Sequence, residues 1–122
     1  MKKILLFSLA LSLASCKEAE RDCKDFKTGK FKFESEIDGK LHTTYFERND
    51  SIEIETYNGK TDTASIRWVN DCEYVLQKLH PKNMAEEKAI NIKILSTKGN
   101  TYLFEYGMVG NDKKQRGTAT KL

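Results

Sequence analysis

The sequence predicts an all-β domain: an antiparallel meander of about eight strands curled into a small barrel or half-barrel, with one short helical turn near 84–88. Three observations carry this. Apolar and polar residues alternate with a period of two through most of the chain after residue 29. Turn dipeptides recur between the alternating runs: Asp38-Gly39, Asn49-Asp50, Asn58-Gly59 and Asn70-Asp71. The chain has one proline and many β-branched and aromatic residues.

The first strand runs from Lys30 to Ile37, with Phe31, Phe33, Ser35 and Ile37 on one face and Lys30, Lys32, Glu34 and Glu36 on the other. Asp38-Gly39 turns the chain, because both residues tolerate positive φ. The second strand, 41–48, draws its β-propensity from Thr43, Thr44, Tyr45 and Phe46. The third, 51–57, alternates again. Its own pattern sets Ile52 and Ile54 inward and Glu53 and Glu55 outward. After Asn58-Gly59 the fourth strand, 61–69, places Ala64, Ile66 and Trp68 on one face. Cys72, Tyr74 and Leu76 share a face of the fifth, and His80-Pro81 ends it. Asn83 and Glu86 have capping-box spacing, which predicts about a turn and a half of helix. The sixth strand turns Ile90, Ile92 and Ile94 inward. The seventh presents Tyr102, Phe104, Tyr106 and Met108. Residues 115–122 form the last. So many short connections favour a meander. A long sheet with one apolar face and no partner helix must curl to bury that face. A two-sheet sandwich is the alternative.

The start of the chain is of another kind. Lys2-Lys3 precedes an apolar run from Ile4 to Leu13, and Leu13-Ala14-Ser15-Cys16 fits a lipobox. The expectation is a signal peptide over 1–15 and a lipidated Cys16, with an ordinary secretory signal as the alternative. The apolar run is too short for a membrane span. Several palmitate-type acyl chains, at roughly 0.8 kcal/mol per buried CH₂, would make the membrane a lasting partner. Residues 16–29 would be the modified cysteine and a charged tether, and 30–122 the barrel-like domain. The expected location is the cell envelope: an outer-membrane lipoprotein, periplasmic or surface-exposed.

Two of the three cysteines then remain. In an oxidising envelope Cys23 and Cys72 are expected to pair, the alternative being two free thiols. No Cys-x-x-Cys is present, and His42 and His80 lack a helical partner, so neither a metal nor a redox site is expected.

The full chain carries a formal charge of +3. Loss of Lys2 and Lys3 would bring it to about +1, too little for a general nucleic-acid binder. Lys113, Lys114, Arg116 and Lys121 form a basic cluster in sequence. It reads as a solvated turn and a guarded strand edge, or as a contact for lipid head groups, phosphates or nucleic acid. No catalytic motif, phosphate loop or cofactor motif occurs, so no enzyme activity and no cofactor are expected. The glutamate pairs 34/36 and 53/55 read as solvent-facing and both histidines as surface residues. The inward stripe is either a solid core or, around Trp68, Tyr74, Tyr102, Phe104 and Tyr106, the lining of a pocket for a small apolar ligand. The domain is expected to be a monomer.

The lipobox, Cys-Lys-Asp-Phe-Lys-Thr-Gly (23–29), Ile-Arg-Trp-Val-Asn-Asp-Cys-Glu-Tyr (66–74) and Lys-Gln-Arg-Gly-Thr-Ala (114–119) resemble a family of short Bacteroidetes (Flavobacteria-type) lipoproteins across almost the whole mature chain. The tryptophan, turn, cysteine and tyrosine block also resembles lipocalin-like small lipoproteins. Lys17, Glu18 and Glu20 loosely resemble the surface-export signals of Bacteroidetes lipoproteins. The resemblance implies a lipocalin-like β-fold in the envelope and brings no activity with it. Some such proteins circulate under the name DNA topoisomerase IV. That activity needs several domains and a cytoplasmic address, and this sequence supports neither.

Overall fold

The computed structural model describes residues 21–122. The signal segment and Cys16 lie outside them. Eight strands follow one another: β1 (Gly29–Ile37), β2 (Lys40–Arg48), β3 (Ile52–Tyr57), β4 (Lys60–Asn70), β5 (Glu73–Lys78), β6 (Ile90–Lys98), β7 (Thr101–Met108) and β8 (Gln115–Lys121). Each pairs antiparallel with the next, and β8 pairs back onto β1, so the sheet closes as a barrel. Closure leaves no free sheet edge.

The two-residue turns set the register. Asp38 and Gly39, like Asn58 and Gly59, both have positive φ, the conformation of the primed hairpin turns. Asp38-Gly39 opposes Ile37 to Lys40 and hence Phe31 to Phe46. Asn58-Gly59 opposes Tyr57 to Lys60 and hence Glu53 to Ala64. Bulges interrupt the pairing between Trp68 and Asn70 and between Ile94 and Ser96. The second lets Ile94 and Thr97, three residues apart, both be buried.

Before β1 a 3-10 helix, Cys23–Phe26, closes one end of the barrel. Cys23 and Phe26 are both buried. Five links hold this plug. Cys23 is disulfide-bonded to Cys72 in the β4–β5 turn. The Asp22 amide donates to Thr97 Oγ1 at 2.8 Å. The Arg48 guanidinium donates to the Phe26 carbonyl at 2.9 Å. Lys121 Nζ donates to the Asp25 carbonyl at 2.7 Å. Lys27 Nζ donates to Asp71 at 2.9 Å, which holds the Asp71 carboxyl below the usual range. The expected tether therefore stops at Asp22, and from there the chain belongs to the domain.

At the other end β5 and β6 are joined by residues 79–89. Residues 84–88 make one turn, with the Lys88 amide donating to the Ala85 carbonyl, and do not go on into a helix. Asn83 caps the turn, its Oδ1 accepting from the Glu86 amide at 2.9 Å. Lys78 Nζ donates to Glu86 at 2.8 Å, and Gln77 donates to the Glu87 carbonyl. The segment is thus strapped across the rim.

One strand faces opposite to its own pattern. On β3 Ile54 points outward and is 41% exposed, while Glu53 points inward and is 6% exposed. Ile52 pairs with the outward Ser65, and Glu53 with the inward Ala64. Ile66 and Trp68 anchor β4 inward, and the short turn carries that phase into β3. Register outweighed local hydrophobicity here.

Candidate ligand-binding site

The barrel interior has two halves. The half behind the plug is solid. Phe26, Phe31, Tyr74, Ile94 and Tyr102 are fully buried there, with Phe46 and Trp68 packed against them. At the centre lies Arg48, 2% exposed. Its guanidinium carbon is 4.7 Å from the ring centroids of both Phe31 and Tyr74, and 5.3 Å from that of Phe46. Nε donates to Glu53 Oε1 at 3.2 Å, one terminal nitrogen to the Phe26 carbonyl at 2.9 Å and the other to the Tyr102 hydroxyl at 2.8 Å. Burial alone would lower its pKa. Tyr74, Tyr102 and Glu53 more than offset this and hold the cation charged.

The half toward the strap is hollow. The inner cavity, of about 170 Å³, is bounded by Phe33, Leu76, Ile92, Phe104 and Tyr106, with Arg48's neighbours Tyr74 and Tyr102 at its base. A second cavity of about 240 Å³ lies under the strap, between Ala64, Leu76, Lys78, Glu86 and Met108. Glu53, Glu55, Leu76 and Ile90 line both, so the two adjoin. The hollow follows from side-chain size. At this level Thr44 and Ala64 stand on the strands that carry Phe46 and Trp68 nearer the plug. Gly117, by contrast, lets the rings of Phe33 and Phe104 close over its backbone, where a Cβ would collide with them.

The electrostatics of the hollow come from β3. Burial pushes the Glu53 carboxyl up to about 7, against the pull of Arg48. Glu53 makes one bond, through Oε1. Among the described residues no buried side-chain oxygen or nitrogen lacks a partner, so its Oε2 opens on the cavity. Glu55 stands nearer the mouth. Desolvation raises its carboxyl too, against the pull of Lys78. Lys78 itself is engaged by Asp62 at 3.5 Å and Glu86 at 2.8 Å.

Of the five expected lining residues, Tyr74, Tyr102, Phe104 and Tyr106 border the hollow. Trp68 does not. It packs on Tyr74 at 4.6 Å between ring centroids on the plugged side, beneath Lys27. Glu34, Glu36 and Glu55 are exposed as expected, whereas Glu53 is buried. His80 is exposed, but His42 is half-buried at the rim, with Nδ1 2.7 Å from the Tyr57 hydroxyl. The basic cluster is divided: Lys113, Lys114 and Arg116 are exposed by the mouth, and Lys121 is at the plugged end. Among the described residues no group of three His, Cys, Asp or Glu side chains is placed to hold a metal ion. Glu55, exposed as expected, borders the cavities at their mouth. Arg48 and Glu53 are the residues that pattern reading missed. Their signal was the hairpin register, which sets Arg48 two places beyond Phe46, itself opposite Phe31. Comparison of the chain with protein-family models, curated proteins and solved structures gives no match.

Proposed function

We propose that this protein is a non-enzymatic lipoprotein of the cell envelope, anchored in the membrane through Cys16, whose barrel takes up a small apolar or amphipathic molecule at its open end. The observation that carries the ligand reading is the contrast between the two halves of one interior. Close-packed cores leave few voids larger than a water molecule. Here aromatic packing fills the plugged half, while adjoining cavities of about 170 and 240 Å³ occupy the other. Their apolar walls and few polar groups have the make-up of small-molecule sites. The lipobox ending at Cys16 supports the anchor.

Two experiments test the two parts. Ala64→Trp puts an indole into the cavity under the strap. It is expected to abolish the fluorescence gain of an uncharged apolar probe such as N-phenyl-1-naphthylamine while the fold, followed by far-ultraviolet circular dichroism, persists. Probe binding that survives in a folded variant would place the probe elsewhere and remove this support. Cys16→Ser is expected to move the protein from the membrane to the soluble fraction, and retention on the membrane would refute the anchor.

A second reading has its own observation. Met84, 81% exposed, and Leu79, 47% exposed, stand on the strap as an apolar pair that a protein partner would cover. On that reading the barrel is a scaffold, and Ala64→Trp leaves partner capture intact.

A further inference from the structure

The hollow carries a sign. Among the described residues, Glu53 and Glu55 are the only charged side chains lining the inner cavity. Glu53 is more than nine-tenths buried, and its Oε2 has no partner and opens inward. Glu55 takes part in no ion pair among the described residues; it has only the more distant pull of Lys78. The cations nearby are committed. Arg48 uses all three nitrogens on Glu53, Phe26 and Tyr102. Lys78 is held by Asp62 and Glu86. Lys88 borders only the outer cavity and is exposed. An anionic head group entering the inner cavity would meet two carboxylates and no free cation. A neutral hydroxyl would give Oε2 of Glu53 one uncharged hydrogen bond, weaker than a charge-assisted one. Beyond the carboxylates the walls are apolar: Phe33, Ile92, Phe104 and Tyr106.

We infer that the ligand is an amphipathic amine, whose ammonium group sits between Glu53 Oε2 and the Glu55 carboxylate and whose hydrocarbon part lies in the inner cavity against Phe33, Ile92 and Phe104. This rests on the ligand-binding reading above. A charge-assisted hydrogen bond in a partly desolvated site is stronger than a neutral one, and an ammonium has a donor for each of the two carboxylates. Binding is also linked to protonation. Arg48, Tyr74, Tyr102 and Glu55 surround Glu53, with Lys78 beyond Glu55, and burial pushes the Glu53 carboxyl up to about 7. The cation needs the ionised form. Below that pH it must displace the Glu53 proton, so amine affinity rises with pH up to about 7 and then levels.

Calorimetric titration of the purified, disulfide-bonded protein with octylamine, octanol and octanoate tests this. The three share a tail and differ in the charge of the head. Octylamine is expected to bind about tenfold more tightly than octanol, and octanoate the most weakly. Glu55→Gln, at the solvent-facing mouth where folding is not at risk, is expected to cut octylamine affinity about tenfold and leave octanol unchanged. If octanol matches octylamine, or octanoate exceeds it, the amine assignment is overturned and the pocket stands. Amine affinity that does not change with pH also overturns it. If none of the three binds better than to Ala64→Trp, the pocket itself is refuted.

Discussion

Arg48→Ala is expected to lower the free energy of unfolding by about 3–5 kcal/mol, the range for breaking a buried ion pair by removing one partner. The substitution deletes three hydrogen bonds at once and empties the centre of the solid half. It strands Glu53, which then takes up a proton to avoid an unpaired buried charge. It also releases the Phe26 carbonyl, so the plug loses one of its links. A second variant separates charge from packing. Arg48→Met/Glu53→Leu replaces the pair with apolar groups and is expected to recover most of the loss, because a well-packed apolar substitute often matches a buried ion pair. Urea denaturation of the three proteins checks both. A loss below about 1 kcal/mol for Arg48→Ala would mean that the surrounding rings, rather than the arginine, hold this end together.

Replacing Cys23 and Cys72 with serine is expected to cost about 4 kcal/mol, since the bond joins residues 49 apart in sequence and restricts the unfolded chain accordingly. In a domain of this size the melting temperature should fall by roughly 15–25 °C. Reduction of the native protein should give the same shift. The effect should stop at the plugged end: octylamine binding at low temperature should survive, because the cavities lie toward the opposite rim. A melting point within about 2 °C of the native value would show that the other four links hold the plug unaided.

Much of the architecture was legible. Eight strands, their turns and the pairing of Cys23 with Cys72 follow from alternation, turn dipeptides and cysteine usage, and the structure agrees within one or two residues at most strand ends. Two things were missed for different reasons. The 3-10 plug reads as tether in the sequence because Cys-Lys-Asp-Phe offers only two apolar residues and no period. Its burial depends on tertiary links from Thr97, Arg48 and Lys121 that no local pattern announces. The facing of β3 was recoverable. Ile52 and Ile54 alternate convincingly, but a two-residue turn at Asn58-Gly59 opposes Ile52 to Ser65 and Glu53 to Ala64. Counting back from Ile66 and Trp68 would have turned Glu53 inward, set Glu55 at the mouth on the same face, and revealed the site. The same count from Phe31 across Asp38-Gly39 finds Arg48. In a meander each strand's phase is fixed by its neighbours as much as by its own residues.

With an anchor at Cys16, the plug would also fix which way the protein stands. Asp22 leaves the barrel at the base, and only six peptide steps separate it from Cys16, at most about 20 Å of chain. With the anchor proposed at Cys16, the sealed base sits next to the lipid and the cup opens away from it. Cargo would then arrive from the aqueous compartment, on the side away from the bilayer, and would leave toward that same compartment.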